Sequence, residues 1–294
     1  MNSPHPFTSS STPASEEAGQ DASSSIKRRP LALSPSRASD YKQCPLLYRL
    51  RAIDRLPEPK TIAQVKGTLV HAALEKTHEL PRAERTYPRA VKFLKPEWEK
   101  MCADDAELVE LVPHDQTLDF LIEARDLVKG YFQMENPQGF DAKAVEMYVD
   151  TVLPNQVPVR GFIDRVDEAP TGEVRVVDYK TGKKPRPQYA HDAQFQMRFY
   201  ALVYWRIHGV IPAQLRLMYL KVFDSMFLMP SREELEYFER DLGTLWAKIE
   251  GDGKEGIFRP KKSKLCGWCS FQELCPAFGG TPPEYPGWPG STAD

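Results

Sequence analysis

Residues 161–180, GFIDRVDEAPTGEVRVVDYK, decide how this chain is organised. The stretch predicts two short strands joined by a tight turn at residues 170–172. Side chains two positions apart on a strand share a face, so we expect Asp178 and Lys180 to project together and Tyr179 to point away. The second strand therefore presents a carboxylate and a lysine to the same side of the predicted sheet.

Two carboxylates face each other in this predicted hairpin. A turn centred near Thr171 places Asp164 almost opposite Asp178, with Cβ atoms roughly 4.5–5.5 Å apart. Carboxylates this close repel each other unless a cation lies between them, and Mg²⁺ or Mn²⁺ is a hard divalent ion that prefers oxygen ligands. Lys180 on the same face can stabilise developing negative charge or help to activate a water. The hairpin therefore predicts a metal site with a lysine beside it.

The composition limits the classes of protein to which the chain can belong. Of its 294 residues, 41% are hydrophobic and 27% are charged, as in ordinary globular proteins, and the formal net charge is −2. Any contact with nucleic acid must then come from local basic patches. No apolar run approaches the ~20 residues that cross a membrane, and the N-terminus lacks the apolar region of a secretory signal. We expect a cytoplasmic protein without membrane contact, and the sequence holds no P-loop motif.

The sequence divides into three parts. Residues 1–29 are rich in Ser and Pro and are predicted to be disordered, residues 30–278 form the folded domain, and residues 279–294 form a flexible tail. Ser34 and Pro35 predict the N-terminus of the first ordered helix. The further predicted elements are strands at about 143–153, 157–168, 173–180, 215–223 and 226–229, and helices at about 116–135, 189–208 and 231–251.

The cysteines form a second candidate site. Cys266, Cys269 and Cys275 follow a C-x₂-C-x₅-C pattern, and Cys44 lies more than two hundred residues upstream. Cytoplasmic thiols stay reduced, so metal ligation or burial is favoured over disulfides. Structural zinc commonly uses two close pairs, whereas a remote cysteine that completes a group of three suits an iron–sulfur cluster. The spacing predicts a metal site that ties the first ordered helix to the last ordered segment, and leaves a [4Fe–4S] cluster and Zn²⁺ both open.

Two predicted helices carry polar pairs at a spacing of four residues, which places each pair on one helix face. The first pair is His71 and Glu75, and the second is Gln196 and Tyr200. Taken alone, each pair also fits an ordinary amphipathic helix. The pairs indicate a functional site only in combination with the carboxylates and the lysine of the hairpin.

The assembled motifs resemble the RecB-like branch of the PD-(D/E)XK nuclease superfamily, from Ser34 to Pro276. The cysteine pattern is similar to that of the iron–sulfur subset of this branch, which includes AddB-type nuclease domains and CRISPR-adaptation nucleases. The matched motifs, in chain order, are G-T-x-x-H at 67–71, G-x-I-D at 161–164, D-x-K-T-G at 178–182 and Q-x₃-Y at 196–200.

The resemblance implies a fold and a set of roles. The fold is α/β and restriction-endonuclease-like, with a central mixed sheet flanked by helices. Residues 30–278 would be the nuclease domain, and an iron–sulfur staple that includes residues 260–278 would join its N- and C-terminal regions. The implied ligands of Mg²⁺ or Mn²⁺ are His71, Asp164, Asp178 and the backbone carbonyl of Tyr179. The implied catalytic residues are Asp164, Asp178, Lys180 for the attacking water, and Gln196 and Tyr200 to position the lysine and the scissile phosphate.

The resulting hypothesis is a metal-dependent deoxyribonuclease, an exonuclease on DNA ends or single strands that acts in DNA repair or recombination. Three aromatic residues, Tyr41, Tyr48 and Trp268, could stack on single-stranded bases, although core packing is the favoured role for at least two of them. An alternative is a non-cleaving DNA-end-binding subunit that works beside a separate helicase. A third hypothesis is a zinc-stapled structural protein in which D-x-K occurs by chance.

Overall fold

The computed structural model describes residues 30–289, in which a five-stranded mixed sheet forms the centre. The strands are adjacent in chain order, and all neighbours are antiparallel except β3 and β4, which are parallel. A parallel pair needs a crossover connection, which here is the helix α7. The strand bounds are β1 Ala142–Val152, β2 Pro158–Glu168, β3 Val174–Lys180, β4 Gln214–Tyr219 and β5 Asp224–Leu228.

Eight α-helices surround this sheet within the described residues. The predicted caps are confirmed: the Ser34 hydroxyl accepts from the Arg37 backbone N–H, and Ser231 and Glu234 form a reciprocal capping box. None of these helices is long and apolar enough to cross a membrane. The helix bounds are α1 Pro35–Gln43, α2 Pro45–Tyr48, α3 Ile62–Glu79, α4 Tyr87–Asp104, α5 Glu107–Leu111, α6 His114–Met134, α7 His191–His208 and α8 Arg232–Glu255.

Helices cover both faces of the sheet, so the domain has two hydrophobic cores. α1, α7 and α8 pack on one face with Val176 and Leu217, and α3, α4 and α6 pack on the other with Val177 and Met218. Successive residues of β3 and β4 thus belong to alternate cores, as the period of a strand requires. The predicted α/β fold with a mixed sheet flanked by helices is confirmed.

β1 and β2 contain an irregularity at the level of the site. Glu146 has a φ of 45°, which lies in the left-handed region that residues other than glycine rarely adopt. The regular pairing of the two strands is interrupted there, where Glu146 lies opposite Asp164. Ala144 faces the α7 core before this point and Met147 faces it afterwards, so the inward side chains change from even to odd positions. The left-handed φ at Glu146 therefore marks the point where β1 changes the side chains that it turns to this core, while its register with β2 is the same on both sides.

The segment after residue 278 differs from the predicted flexible tail as far as the structure describes it. The hydroxyl of Tyr285 donates to the Gly253 carbonyl at 2.7 Å, and Arg49 donates to the Pro283 carbonyl. Trp288 packs 5.9 Å from the ring of Trp246. The aromatic side chains supply apolar surface to bury, which Gly/Pro content alone does not reveal. Residues 1–29 and 290–294 lie outside the described part of the chain.

Candidate active site

The hairpin between β2 and β3 has the predicted register. Arg165 pairs with Val177, so the next step of the same register brings Asp164 to Asp178 at the open end of the ladder. The turn includes Gly172, whose φ of 94° is readily adopted only by glycine. The two carboxylates therefore meet through a local connection, as the sequence predicts.

Asp178 and Lys180 project to the same side of β3, as expected. The Lys180 Nζ lies 2.7 Å from Asp178 Oδ2, and Gln196 Nε2 donates to Asp178 Oδ1 at 2.7 Å. Gln196 therefore reaches the site from α7 through the carboxylate rather than through the lysine that the resemblance implied. Asp178 is 6% exposed, so both of its oxygens are fixed in a buried position.

His71 enters the site from α3. Its Nε2 lies 2.9 Å from the Tyr179 carbonyl oxygen, and its Nδ1 lies 3.5 Å from Asp164 Oδ2. A carbonyl oxygen can only accept, so Nε2–H is the donor in this pair. The same Asp164 oxygen accepts from the Tyr179 backbone N–H at 2.7 Å. The structure thus places three of the predicted ligands, His71, Asp164 and the Tyr179 carbonyl, in contact with one another, and Asp178 lines the same cleft.

Glu146 is a further acidic residue of the site that the sequence motifs did not indicate. One ligand atom each of His71, Glu146 and Asp164 lies within 4.8 Å of the others. A signal for it existed: the predicted strands at 143–153 and 157–168 join through a turn centred near Asn155, which puts Glu146 opposite Asp164. The pairing of residues about a turn, which predicts that Asp164 faces Asp178 in the β2–β3 hairpin, also predicts that Glu146 faces Asp164 in the β1–β2 hairpin.

The charges of the site perturb one another strongly. Burial and the charge of Asp164 raise the pKa of Glu146 to about 7. The same two causes raise the pKa of Asp178, and Lys180 offsets part of this rise. Burial lowers the pKa of His71, but the Asp164 carboxylate outweighs burial and raises that pKa to about 9. Three converging carboxylates thus hold more negative charge than the neighbouring lysine and histidine neutralise.

The site opens into a cleft of about 850 Å³. Tyr200 from α7 lines one wall, and its ring lies so close to β2 that a Cβ at Gly161 would meet it at 3.3 Å. Ser34 and Ser36 at the start of α1 line the opposite wall. The predicted pair of Gln196 and Tyr200 therefore lies on the cleft side of α7.

The opposite face of the same strands carries a compensated ionic network. Arg165 is fully buried, and its guanidinium lies 2.7 Å from Glu135 and 2.9 Å from Asp167. It also donates to the Tyr179 hydroxyl at 2.8 Å. Through Tyr179, this network holds the strand whose carbonyl faces His71.

The four motif cysteines line one small cavity between the start of α2 and the segment that follows α8. The backbone N–H of Lys261 donates to Cys44 Sγ at 3.3 Å, so residues far apart in sequence meet here. Burial raises the pKa of the Cys269 thiol, and the nearby Cys44 and Cys266 raise it further. The cysteines of the N- and C-terminal regions therefore lie together, as the spacing predicts.

Two of the three aromatic residues suggested for base stacking belong to the core. Tyr48 is fully buried and Tyr41 is 9% exposed, so neither can stack on a base. Trp268 is 82% exposed, but it borders a different groove together with Lys60 and Asp105.

A mixed α/β sheet with two carboxylates and a lysine at the end of neighbouring strands defines the class of restriction-endonuclease-like proteins. Residues 32–276 match the family model described as the PD-(D/E)XK nuclease superfamily, and the chain belongs to this superfamily. Nucleases of this superfamily use divalent metal ions, which agrees with the acidic group around His71.

Two individual proteins are similar to this chain. Gene 69 protein of Mycobacterium phage D29 is 27% identical over 199 residues, which cover 60% of this chain and 70% of the phage protein. A crystal structure from Eubacterium rectale, described as a "Putative exonuclease", superposes with a TM-score of 0.54 at 12% identity. The superposition covers 81% of this chain and 86% of the other, and the likeness shows a shared fold.

Proposed function

We propose that this protein is a Mg²⁺- or Mn²⁺-dependent deoxyribonuclease that hydrolyses phosphodiester bonds at DNA ends or in single strands. The observation that carries the proposal is the convergence of donor atoms from His71, Glu146 and Asp164 within 4.8 Å of one another. Asp178 and Lys180 stand beside this group in the same cleft. Oxygen-rich donor sets of this kind suit Mg²⁺ and Mn²⁺.

The spacing of two further atoms fits the same ion. In an octahedron with metal–ligand bonds of about 2.1 Å, adjacent ligands lie about 3.0 Å apart. His71 Nε2 and the Tyr179 carbonyl oxygen are 2.9 Å apart, so if Nε2 released the proton that it donates to this carbonyl, the two atoms would have the spacing of adjacent ligands. On this proposal the ligand set is His71, Asp164, Asp178 and the Tyr179 carbonyl, with Glu146 as an additional ligand or as the acceptor of a metal-bound water.

The remaining side chains have roles that follow from their contacts. A bound divalent ion supplies Lewis acidity and lowers the pKa of its water. Lys180, 2.7 Å from Asp178, donates hydrogen bonds to the attacking water and to the developing charge on the phosphate. Gln196 holds Asp178 in one orientation through its 2.7 Å hydrogen bond. Tyr200 shapes the cleft wall against which the phosphate lies.

A cleavage assay tests this proposal. End-labelled single-stranded and blunt double-stranded DNA are incubated with wild type and with Asp178→Ala, with and without Mg²⁺ or Mn²⁺. We expect metal-dependent cleavage by wild type and none by the variant, and release of mononucleotides or short products from an end. Equal activity of the two proteins, or cleavage that persists in a chelator, would exclude the proposed site. Internal cuts in circular DNA would exclude the exonuclease mode.

We assign the chain to the RecB-like branch and its iron–sulfur subset on the motif set and on the cysteine geometry. The four cysteines Cys44, Cys266, Cys269 and Cys275 line one cavity. Structural zinc sites commonly use two close pairs of ligands, whereas this chain has one C-x₂-C pair, a third cysteine and a remote fourth. This pattern supports a [4Fe–4S] cluster over a single Zn²⁺.

Spectroscopy separates the two metals. Protein purified without oxygen should be brown, absorb in the visible range and contain iron, and Cys269→Ser should lose both signals. A colourless protein that contains zinc would overturn the cluster assignment and leave the nuclease proposal untouched.

A role in DNA repair or recombination is proposed from the resemblance to the subset that includes AddB-type nuclease domains. The alternative of a non-cleaving partner of a separate helicase is disfavoured by the acidic site, since each motif position holds the residue type that catalysis requires.

A further inference from the structure

A pair of aromatic rings lies exposed beside the candidate active site. Tyr148 on β1 is directly opposite Phe162 on β2, and their ring centroids are 5.1 Å apart. The two residues are 46% and 54% exposed, respectively. Phe162 lines the same cleft as Asp164 and Asp178. Paired exposed aromatic rings beside a reaction centre are more typical of a binding surface than scattered apolar residues are.

A cation accompanies these rings. The Tyr148 hydroxyl donates to Asp150 Oδ2 at 2.7 Å, and Arg160 Nε donates to the same oxygen at 2.9 Å. Asp150 therefore fixes both the tyrosine ring and the guanidinium of Arg160, whose side chain is 23% exposed. The surface thus offers flat apolar rings beside a guanidinium that is held by an ion pair with Asp150. Aromatic side chains on which bases stack are what proteins use for single-stranded nucleic acid.

We propose that Tyr148 and Phe162 form a stacking platform for one unpaired nucleobase of the strand that enters the cleft. The inference deepens the proposed nuclease function and rests on it. Any of the four bases presents a π-face, so the platform would select for single strands rather than for a sequence. In a duplex each base already stacks on its neighbours, and its face is free only after unstacking.

The position of the rings fits this role. Phe162 precedes Asp164 by two residues on β2, which corresponds to about 6.7 Å along a strand. A base attached next to the phosphate at Asp164 can span this distance. Two other exposed aromatic residues lie elsewhere: Trp268 borders a separate groove, and Tyr237, 60% exposed, lies on α8 outside the cleft lining.

The experiment combines the removal of one base from the DNA with the removal of one aromatic ring from the protein. Labelled single-stranded oligonucleotides, either intact or with one abasic site, are digested with Mn²⁺ by wild type, Phe162→Ala, Tyr148→Ala and Phe162→Trp. Tyr237→Ala is the matched control, since it removes an equally exposed ring away from the cleft. The readout is the pause at the bond next to the abasic site, expressed as the ratio of kcat/KM for intact and abasic strands.

We expect the abasic site to slow wild type, Phe162→Trp and Tyr237→Ala by about 10-fold at that bond, the effect of one lost stacking contact. The penalty should fall below about 2-fold in Phe162→Ala and decrease in Tyr148→Ala. In these variants the base of an intact strand has already lost its stacking partner, so removing the base costs little more. An equal penalty in wild type and Phe162→Ala, with both cleaving the intact strand, overturns the platform alone. Failure of wild type to cleave either strand overturns the nuclease function as well.

Discussion

The two faces of strand β3 and its neighbours hold charged groups in opposite balance. On the cleft face, the carboxylates of Asp164, Asp178 and Glu146 have Lys180 and His71 as their positively charged neighbours among the described residues. On the other face each carboxylate has at least two guanidinium partners. There, two carboxylates meet three guanidinium groups, in a network of Glu135 and Asp167 with Arg165, Arg175 and Arg216.

This difference separates a structural network from a functional one. Buried charges are stable when their partners compensate them, as around Arg165. The cleft face keeps an excess of negative charge in a buried position, which raises the pKa of Glu146 to about 7. A folded protein that retains such repulsion has a place for a cation. Asp178 belongs to this acidic site, whereas Tyr179, the next residue of β3, contacts the ionic network on the opposite face.

The largest expected effect is on catalysis from the cleft face. Asp178→Asn keeps the shape of the side chain and removes a metal ligand, so cleavage should fall roughly 1000-fold or more. The metal-free variant should melt at the wild-type temperature or above it, because the substitution also removes repulsion with Asp164. Activity within about 10-fold of wild type, or a large drop in Tm, would contradict the assignment of this face.

The largest effect on stability should come from the opposite face. Arg165→Met leaves Glu135 and Asp167 without their buried partner, which should lower the free energy of unfolding by about 3 kcal/mol or more in urea denaturation. Lys143→Met breaks an exposed ion pair with Glu168 and serves as control, with a Tm close to that of wild type. Similar losses in the two variants would mean that the Arg165 network does not support the fold.

The pH dependence of stability should have opposite signs on the two faces. Burial, with the charges of Arg165 and Arg85, lowers the pKa of His78 from 6.5 to about 3. Between about pH 3 and pH 6.5 the unfolded chain therefore binds a proton at His78 that the folded chain does not bind. The contribution of His78 to folding stability is present above about pH 6.5 and is lost as the pH falls toward 3. His78→Gln should reduce the slope of stability against pH in this window by about 1 kcal/mol per pH unit.

In metal-free protein, Glu146 changes the stability with pH in the direction opposite to His78. Its folded pKa of about 7 lies above the ordinary 4.5, so its contribution is fully present below about pH 4.5 and is lost as the pH rises through 7. Glu146→Gln should flatten this loss between pH 5 and 7 when unfolding is followed with urea in a chelator. If His78→Gln and Glu146→Gln changed the slope with the same sign, the charge balance assigned to the two faces would be wrong.

The sequence predicts those parts of the site that depend on local register. Asp164 and Asp178 meet because a short turn fixes which residues face each other, and α7 follows β3 directly, so Gln196 returns to the same edge. The family resemblance, rather than any local pattern, brought in His71 as a metal ligand, and the need for a fourth cysteine brought in Cys44. Long-range partners of this kind depend on how helices pack.

Other features had no signal strong enough to find them. Glu135 on α6 reaches Arg165 only through the packing of a helix on a sheet, which no periodicity encodes. The left-handed conformation of Glu146 is carried by a residue type that does not favour it, so the change of strand face could not be anticipated. The docking of Tyr285 and Trp288 was hidden by the Gly/Pro content around them.

The most direct test of the charge contrast is Mn²⁺ binding, measured by calorimetry and by the thermal shift of metal-free protein. Binding to the folded state should stabilise wild type, by about 2.7 kcal/mol when free Mn²⁺ is 100-fold above its Kd. Asp164→Asn should abolish the shift, Glu146→Gln should weaken it, and Asp167→Asn on the opposite face should retain it. A shift that survives in Asp164→Asn, or is lost in Asp167→Asn, would contradict the account.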